Sequence, residues 1–331
     1  MRRFTADLDP STDAQPIDLS IDQTVDRLRS DLEWIAVPRH PRANPTAHAE
    51  VAAAIESSLT DSGFRVRREP FTEAGHSGVN LVGDLPANGS ADSPTDSAPW
   101  IVLGAHYDSV KGTPGADDNG SAVAALLECG RRLGARAAAS RRRGLRLVAF
   151  DLEEAQDGEG LLGSRAACRT WRRHGDPIAA MLCLEMVGYT DRAPHSQRLP
   201  PGFTHLFPDL AAWLDARSWR GDFLTAIADS GSEALLTQCV AAGTDAAPTL
   251  PIVPFTAPVD ADALPDLLRS DHAPFWAAGI PALMLTDTSE YRNPHYHRTS
   301  DTVDTLDLPF LAAVCDAVIA MLENLLAETD P

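Results

Sequence analysis

The feature that most constrains this chain is a series of short, predominantly apolar runs without polar alternation: WIVLGAH (100–106), GLRLVAF (144–150), AAMLCLEM (179–186) and IPALMLT (280–286). A strand with one face in water alternates apolar and polar side chains, whereas a continuous apolar run is covered on both faces. Between the first three runs lie stretches of helical spacing, from about Asn119 to Leu133 and near Leu162–Arg173. Strand, helix, strand in succession predicts an α/β fold of three layers, α/β/α, with a largely parallel sheet in the middle.

The flanking regions are read the same way. Helical spacing covers Ile21–Val37 and Ala47–Phe64, with Gly63 placed to stop the second helix, and Phe64–Arg68 and Val79–Val82 read as short strands. DFLTAIA (222–228) reads as a strand, Ser232–Ala242 as a helix and Leu308–Ala327 as a long closing helix. Residues 1–20 form a polar N-terminal tail, and LPANGSADSPTDSAP (85–99) is a turn-rich surface loop. With 331 residues, 44% of them hydrophobic, residues 21–331 are expected to build one domain with a sizeable core.

Charge narrows the partners. Lys and Arg number 28 against 47 Asp and Glu, a net −19, which opposes the long-range attraction that nucleic acid or an anionic membrane would need. No run approaches the roughly 18 consecutive apolar residues that span a bilayer, and no apolar run follows the first arginines. The expectation is a cytoplasmic protein, unless a leader has been removed. Cys129, Cys168, Cys183, Cys239 and Cys315 are scattered without a C-x-x-C pair, so they read as buried reduced thiols, with no disulfide framework and no thiolate metal site.

Ligands of such sheets bind beyond the carboxyl ends of the strands. WIVLGAH ends in His106 with Asp108 beyond it, GLRLVAFDL runs into Glu153–Glu154, and AAMLCLE ends in Glu185. PGADDNGSA carries Asp117–Asp118 just before a helix, and NPHYHRTSDT carries His297. Imidazoles and carboxylates without thiols suit zinc or a similar divalent ion, and carboxylates converging in one crevice would repel one another without cations.

GAHYDSV (104–110), PGADDNGSA (114–122), FDLEE with GLLGSRA (150–154 and 160–166), LEMVGY (184–189), SDHAPFWAAGIPALMLTDT (270–288) and NPHYHRTSDTVDTLD (293–307) resemble, in order, the motif series of the co-catalytic two-zinc aminopeptidases. The clan they belong to also includes glutamate carboxypeptidases and glutaminyl cyclases. The resemblance implies a mixed, mostly parallel, twisted central sheet and two divalent metal ions, zinc by preference. It makes Asp118 the carboxylate bridging both metals, with His106 and Glu185 completing one site and Glu154 and His297 the other. Asp108 would accept the other N–H of His106, Glu153 would be the general base for a metal-bridging hydroxide, and Tyr296 would present its phenol to the developing oxyanion. Asp271 would support the site from behind. The family often has Asp where this chain has Glu185, and AQDGE (155–159) lengthens a loop beside the site.

The implied activity is a metal-dependent aminopeptidase acting on peptide or aminoacyl substrates. Glutaminyl cyclase-like acyl transfer, carboxypeptidase or dipeptidase action, and a non-catalytic binding module are the alternatives on this scaffold. Arg292, close to His297, reads as an exposed, solvated arginine rather than a receiver of a substrate carboxylate. Residue preference and oligomeric state are not encoded in these motifs.

Overall fold

The computed structural model describes residues 21–87, 98–135, 141–257 and 264–328. The expected N-terminal tail and most of the 85–99 loop lie outside them. The chain opens with α1 (Ile21–Ile35) and α2 (Pro45–Asp61), then β1 (Arg65–Glu73), β2 (His76–Leu85) and β3 (Trp100–His106). An irregular helical turn at Ala116–Ser121 leads into α3 (Ala122–Ala135), followed by β4 (Gly144–Phe150), α4 (Leu162–His174) and β5 (Ile178–Glu185). The second half runs α5 (Phe203–Leu206), α6 (Pro208–Ala216), β6 (Leu224–Ala228), α7 (Glu233–Ala246), β7 (Ile252–Thr256), α8 (Ala273–Ala277), β8 (Ala282–Thr286) and α9 (Leu308–Ala327).

The eight strands form one sheet in the order β1-β2-β4-β3-β5-β8-β6-β7. The four central strands, β4, β3, β5 and β8, are mutually parallel, while β1, β2 and the β6–β8 pairing are antiparallel. The result is the mixed, mostly parallel sheet of a three-layer α/β/α fold. Alternate strand residues separate two cores. Leu103, Leu147, Leu182 and Leu283 pack toward α1, α2, α3, α7 and α9, and Val102, Val148, Met181 and Met284 pack toward α4 and α8. The apolar runs are therefore continuous because each residue parity has its own helix layer to bury against.

Helix α9 shows how sequence sets such an element. Asp307 accepts the Phe310 N–H at 3.0 Å and Pro309 sits in the first turn, a start signal that leaves no orphan donor at that position. Its mean hydropathy of 1.9 and 20-residue length would suit a membrane span, yet 67% of its most apolar stretch is buried against α1, α3 and α7.

Differences from the sequence reading cluster where apolar pattern is weak. RVRREPFTE and HSGVNLVGDL pair as a hairpin through Ala74–Gly75, longer than the two short strands expected, because β1 is an edge strand with few buried side chains. Strand β7 carries Pro254, tolerated because β7 is the opposite edge. Arg292 is not solvated: it is 3% exposed, donates Nε to Gln197 Oε1 at 2.9 Å and Nη1 to Phe223 O at 2.8 Å, and lies over the Phe223 ring. It ties the 189–198 excursion to β6 and is buried beyond the reach of a substrate carboxylate.

Candidate active site

The carboxyl ends of β3, β4 and β5 bring His106, Glu153–Glu154 and Glu185 to one crevice, and two loops add Asp118 and His297. The two carboxylate oxygens of Asp118 face different imidazoles: Oδ1 lies 3.4 Å from His106 Nε2 and Oδ2 lies 3.1 Å from His297 Nε2. Glu185 Oε2 stands 3.6 Å from the His106 nitrogen, and Glu154 Oε1 stands 3.5 Å from that of His297. His106–Asp118–Glu185 and Asp118–Glu154–His297 thus form two triads, each with donor atoms within 4.8 Å of one another, sharing Asp118. Glu153 Oε2 is 3.8 Å from His106 Nε2.

The residues fit divalent cations. His106 Nδ1 and Nε2 and Glu154 Oε1 are buried without a hydrogen-bond partner, so the converging donors satisfy little among themselves. Burial, and then neighbouring carboxylate charge, push Glu154 up to about 7. Burial also holds Glu153 well above the usual carboxylate range. Burial would raise Asp118 too, but the two imidazoles facing it win and hold its carboxyl below that range. Excess negative charge concentrated on largely buried carboxylates is what a cation neutralises.

Each of these side chains is held from behind. Asp108 accepts the backbone N–H groups of Glu153 and Glu154 at 3.1 and 3.2 Å while its Oδ1 lies 3.4 Å from His106 Nδ1, so it fixes the Glu pair as well as facing the imidazole. Ser270 Oγ donates to Glu185 Oε2 at 2.7 Å. Asn119 donates to Leu184 O and accepts from Met186 N–H, pinning the Asp118 turn to the end of β5. The Asp118–Asn119 peptide is cis. Asp117 is spoken for by Ser121, Gly188 and Asn293 and points away from the crevice's donors. Leu152, Met186 and His297, each beside or at a site residue, adopt left-handed φ values of 57°, 48° and 57°, local strain of the kind that clusters at functional sites.

Asp271 is fully buried with both carboxylate oxygens unpartnered, and burial raises it to about 7. Tyr296 stacks on His297 with ring centroids 3.7 Å apart, and Arg269 Nη2 donates to its phenol oxygen at 2.6 Å. Two anchors are absent from the sequence reading. Asp301 accepts the N–H groups of Asp117 and Asp118 at 2.9 and 3.1 Å. Arg39, fully buried between α1 and α2, donates to Tyr107 O, Ile35 O, Pro114 O and Gly115 O at 2.6–3.0 Å, clamping the loop that carries Asp118. Gly115, at φ +62°, admits no side chain there, since a Cβ would lie 2.3 Å from Asp118 O.

A cavity of about 750 Å³ opens at these residues. Strand register defines its floor. Glu185 pairs with Thr286, Thr286 with Thr225 and Thr225 with Val253, one row crossing from β5 to edge strand β7; Met284, Ile227 and Phe255 form the row behind it. Three strand spacings make this trench about 14 Å long. Leu199, Phe203, Leu210 and Leu264 add apolar lining to it.

The model of peptidase family M28 matches residues 80–322. An uncharacterized Escherichia coli (strain K12) protein, YfbL, is 34% identical over 90% of this chain and 88% of its own length. A probable leucine aminopeptidase of Arthroderma otae is 26% identical over 82% of this chain, which spans 63% of that relative's length. Among solved structures, a zinc aminopeptidase from Bacillus subtilis superposes with a TM-score of 0.67 at 15% identity, covering 94% of this chain and 96% of its own, a likeness of fold.

Proposed function

The chain belongs to peptidase family M28, and from that premise we propose that it is a zinc-dependent aminopeptidase that releases apolar N-terminal residues from peptides. The observation that carries this reading is Asp118, whose two oxygens face two separate His–carboxylate sets. Asp118 would hold both ions, His106 and Glu185 one of them, and Glu154 and His297 the other. When bound, two such ions supply Lewis acidity toward a carbonyl oxygen and make water acidic enough to deprotonate near neutral pH.

The remaining roles fall to the chain's own groups. Glu153 stands beside both triads without being needed in either, and a carboxylate held above its usual range accepts a proton from water and returns it to the leaving amine. The Tyr296 phenol receives its hydrogen bond from Arg269, which leaves its own O–H free to donate to a carbonyl oxygen as charge develops there. Asp108 keeps the Glu pair and His106 in register. The trench beyond Glu185 takes the side chain of the N-terminal residue, and the carboxylate-rich crevice favours a free α-amine.

The test is hydrolysis of one peptide in three forms, N-terminally free, N-blocked and C-blocked, with and without chelator. Expected is loss of cleavage on N-blocking and on chelation, with recovery on adding zinc. Loss on C-blocking alone would overturn the aminopeptidase assignment in favour of carboxypeptidase action.

A further inference from the structure

Beside the cleft lies a second groove of about 1010 Å³ between α4 and α8, and the two share Gly160, Leu161, Arg165 and Leu268 at their common rim. Arg165, Arg169, Arg172 and Arg173 line it. At 100° per residue these four positions of α4 fall within a stripe of about 100° on one helix face. Arg165 and Arg169 are partnered, by Glu159 and Glu73. Arg172 and Arg173 are exposed and hold no ion pair or hydrogen bond among the described residues. Asp229, the other acid of the groove, is engaged by Ser232. Pro274 and Trp276 supply an apolar wall opposite the arginines.

In a chain of net charge −19, two unpaired guanidinium groups opening from the end of the active-site cleft form a local positive field facing the direction a peptide must leave. With the trench across β8, β6 and β7 taken up by the side chain of the N-terminal residue, the rim at Gly160, Leu161, Arg165 and Leu268, shared by both cavities, is the route left to the part of a peptide downstream of the scissile bond. We propose that this groove binds the downstream segment of the substrate and selects acidic side chains, or a C-terminal carboxylate, at a set distance from the cleaved bond. The distance follows from geometry. Arg172 and Arg173 lie about 10–12 Å along α4 from Arg165 at 1.5 Å per residue, which an extended peptide covers in three to four residues. Guanidinium groups suit this role because each presents several donors to a carboxylate. The inference rests on the aminopeptidase reading for its substrate, but the groove exists independently of it.

The experiment uses the full chain loaded with zinc, wild type and Arg172→Glu/Arg173→Glu. Peptides of eight residues with a common apolar N-terminus carry an Asp-Asp pair moved one position at a time, with Asn-Asn as the neutral reference, and leucine p-nitroanilide reports turnover without a downstream segment. Expected is a ~3- to 10-fold gain in kcat/KM for the acidic pair, confined to a window of one or two positions, abolished by the double substitution and by high salt, with anilide turnover unchanged. Equal rates for Asp-Asp and Asn-Asn peptides, or an acidic preference that survives the double substitution, would overturn the proposal. Should the protein cleave none of these peptides, the aminopeptidase reading fails separately. The groove is then tested by fluorescence anisotropy of an N-terminally labelled acidic peptide, whose binding must weaken in the double variant for the proposal to stand.

Discussion

Asp271 and His272 are consecutive, both fully buried, and titrate in opposite senses. Burial lowers His272 from 6.5 to about 4, its ring nitrogen bonded to Leu267 O at 2.8 Å. The unfolded chain therefore protonates His272 near pH 6.5 while the folded chain resists until about 4, so stability is lost as pH falls through that window. Asp271, raised to about 7, does the reverse: the folded state takes up a proton before the unfolded one, and stability is gained as pH falls below 7. Total stability mixes the two, but His272→Gln keeps a donor for Leu267 O and removes only the titration. The stability of wild type relative to this variant is expected to fall by about 2 kcal/mol between pH 8 and pH 5, measured by urea unfolding of the chelator-treated protein. Parallel curves would show that His272 is not the group responsible. At this scale the sequence placed His106, Glu153, Glu154 and Glu185 because each ends an apolar run. It was silent on Asp301, because the contact to Asp118 N–H joins residues 183 apart and no local pattern marks it.

At the scale of elements, the connection from α1 to α2 reaches under the loop that carries Asp118, although it precedes the stretch matched by the family model. Arg39 is the contact. Burial lowers it only to about 10, so it stays cationic at neutral pH and donates to four carbonyl oxygens, of which Ile35 O also accepts from Val37 N–H and Gly115 O from Gly120 N–H, while Tyr107 O and Pro114 O depend on the guanidinium. Arg39→Met keeps much of the volume and strands the Tyr107 and Pro114 carbonyls, and the expected cost is about 3 kcal/mol in urea unfolding, with weaker zinc binding by titration calorimetry. A variant within ~0.5 kcal/mol of wild type would mean that water replaces the guanidinium and the clamp is dispensable. Strands β3, β4, β5 and β8 and helix α9 were legible because burial on both faces or around a helix imposes continuous or periodic apolarity. Strand β7 and helices α5, α6 and α8 were not, since each is short and finds its partners across the fold instead of along the chain.

At the scale of the whole molecule, the proposed preference for apolar N-terminal residues rests on sheet order. Because β8 lies between β5 and β6, the row that begins at Glu185 continues through Thr286, Thr225 and Val253, so the cleft extends sideways over three strands instead of ending at the catalytic crevice. A trench about 14 Å long exceeds any natural aliphatic side chain, and its second row, Met284, Ile227 and Phe255, is apolar throughout. Each methylene buried there contributes up to about 0.8 kcal/mol, or ~4-fold in kcat/KM. Aminoacyl anilides are therefore expected to be cleaved faster along alanyl, leucyl and 2-aminooctanoyl, with the gain continuing past leucine. Ile227→Trp fills the middle of the second row and should remove the gain for the long chain while leaving alanyl turnover within ~2-fold. A plateau at leucine in wild type, or an undiminished long-chain preference in Ile227→Trp, would show that the side chain does not enter the trench and that the sheet's lateral extension plays no part in choosing the substrate.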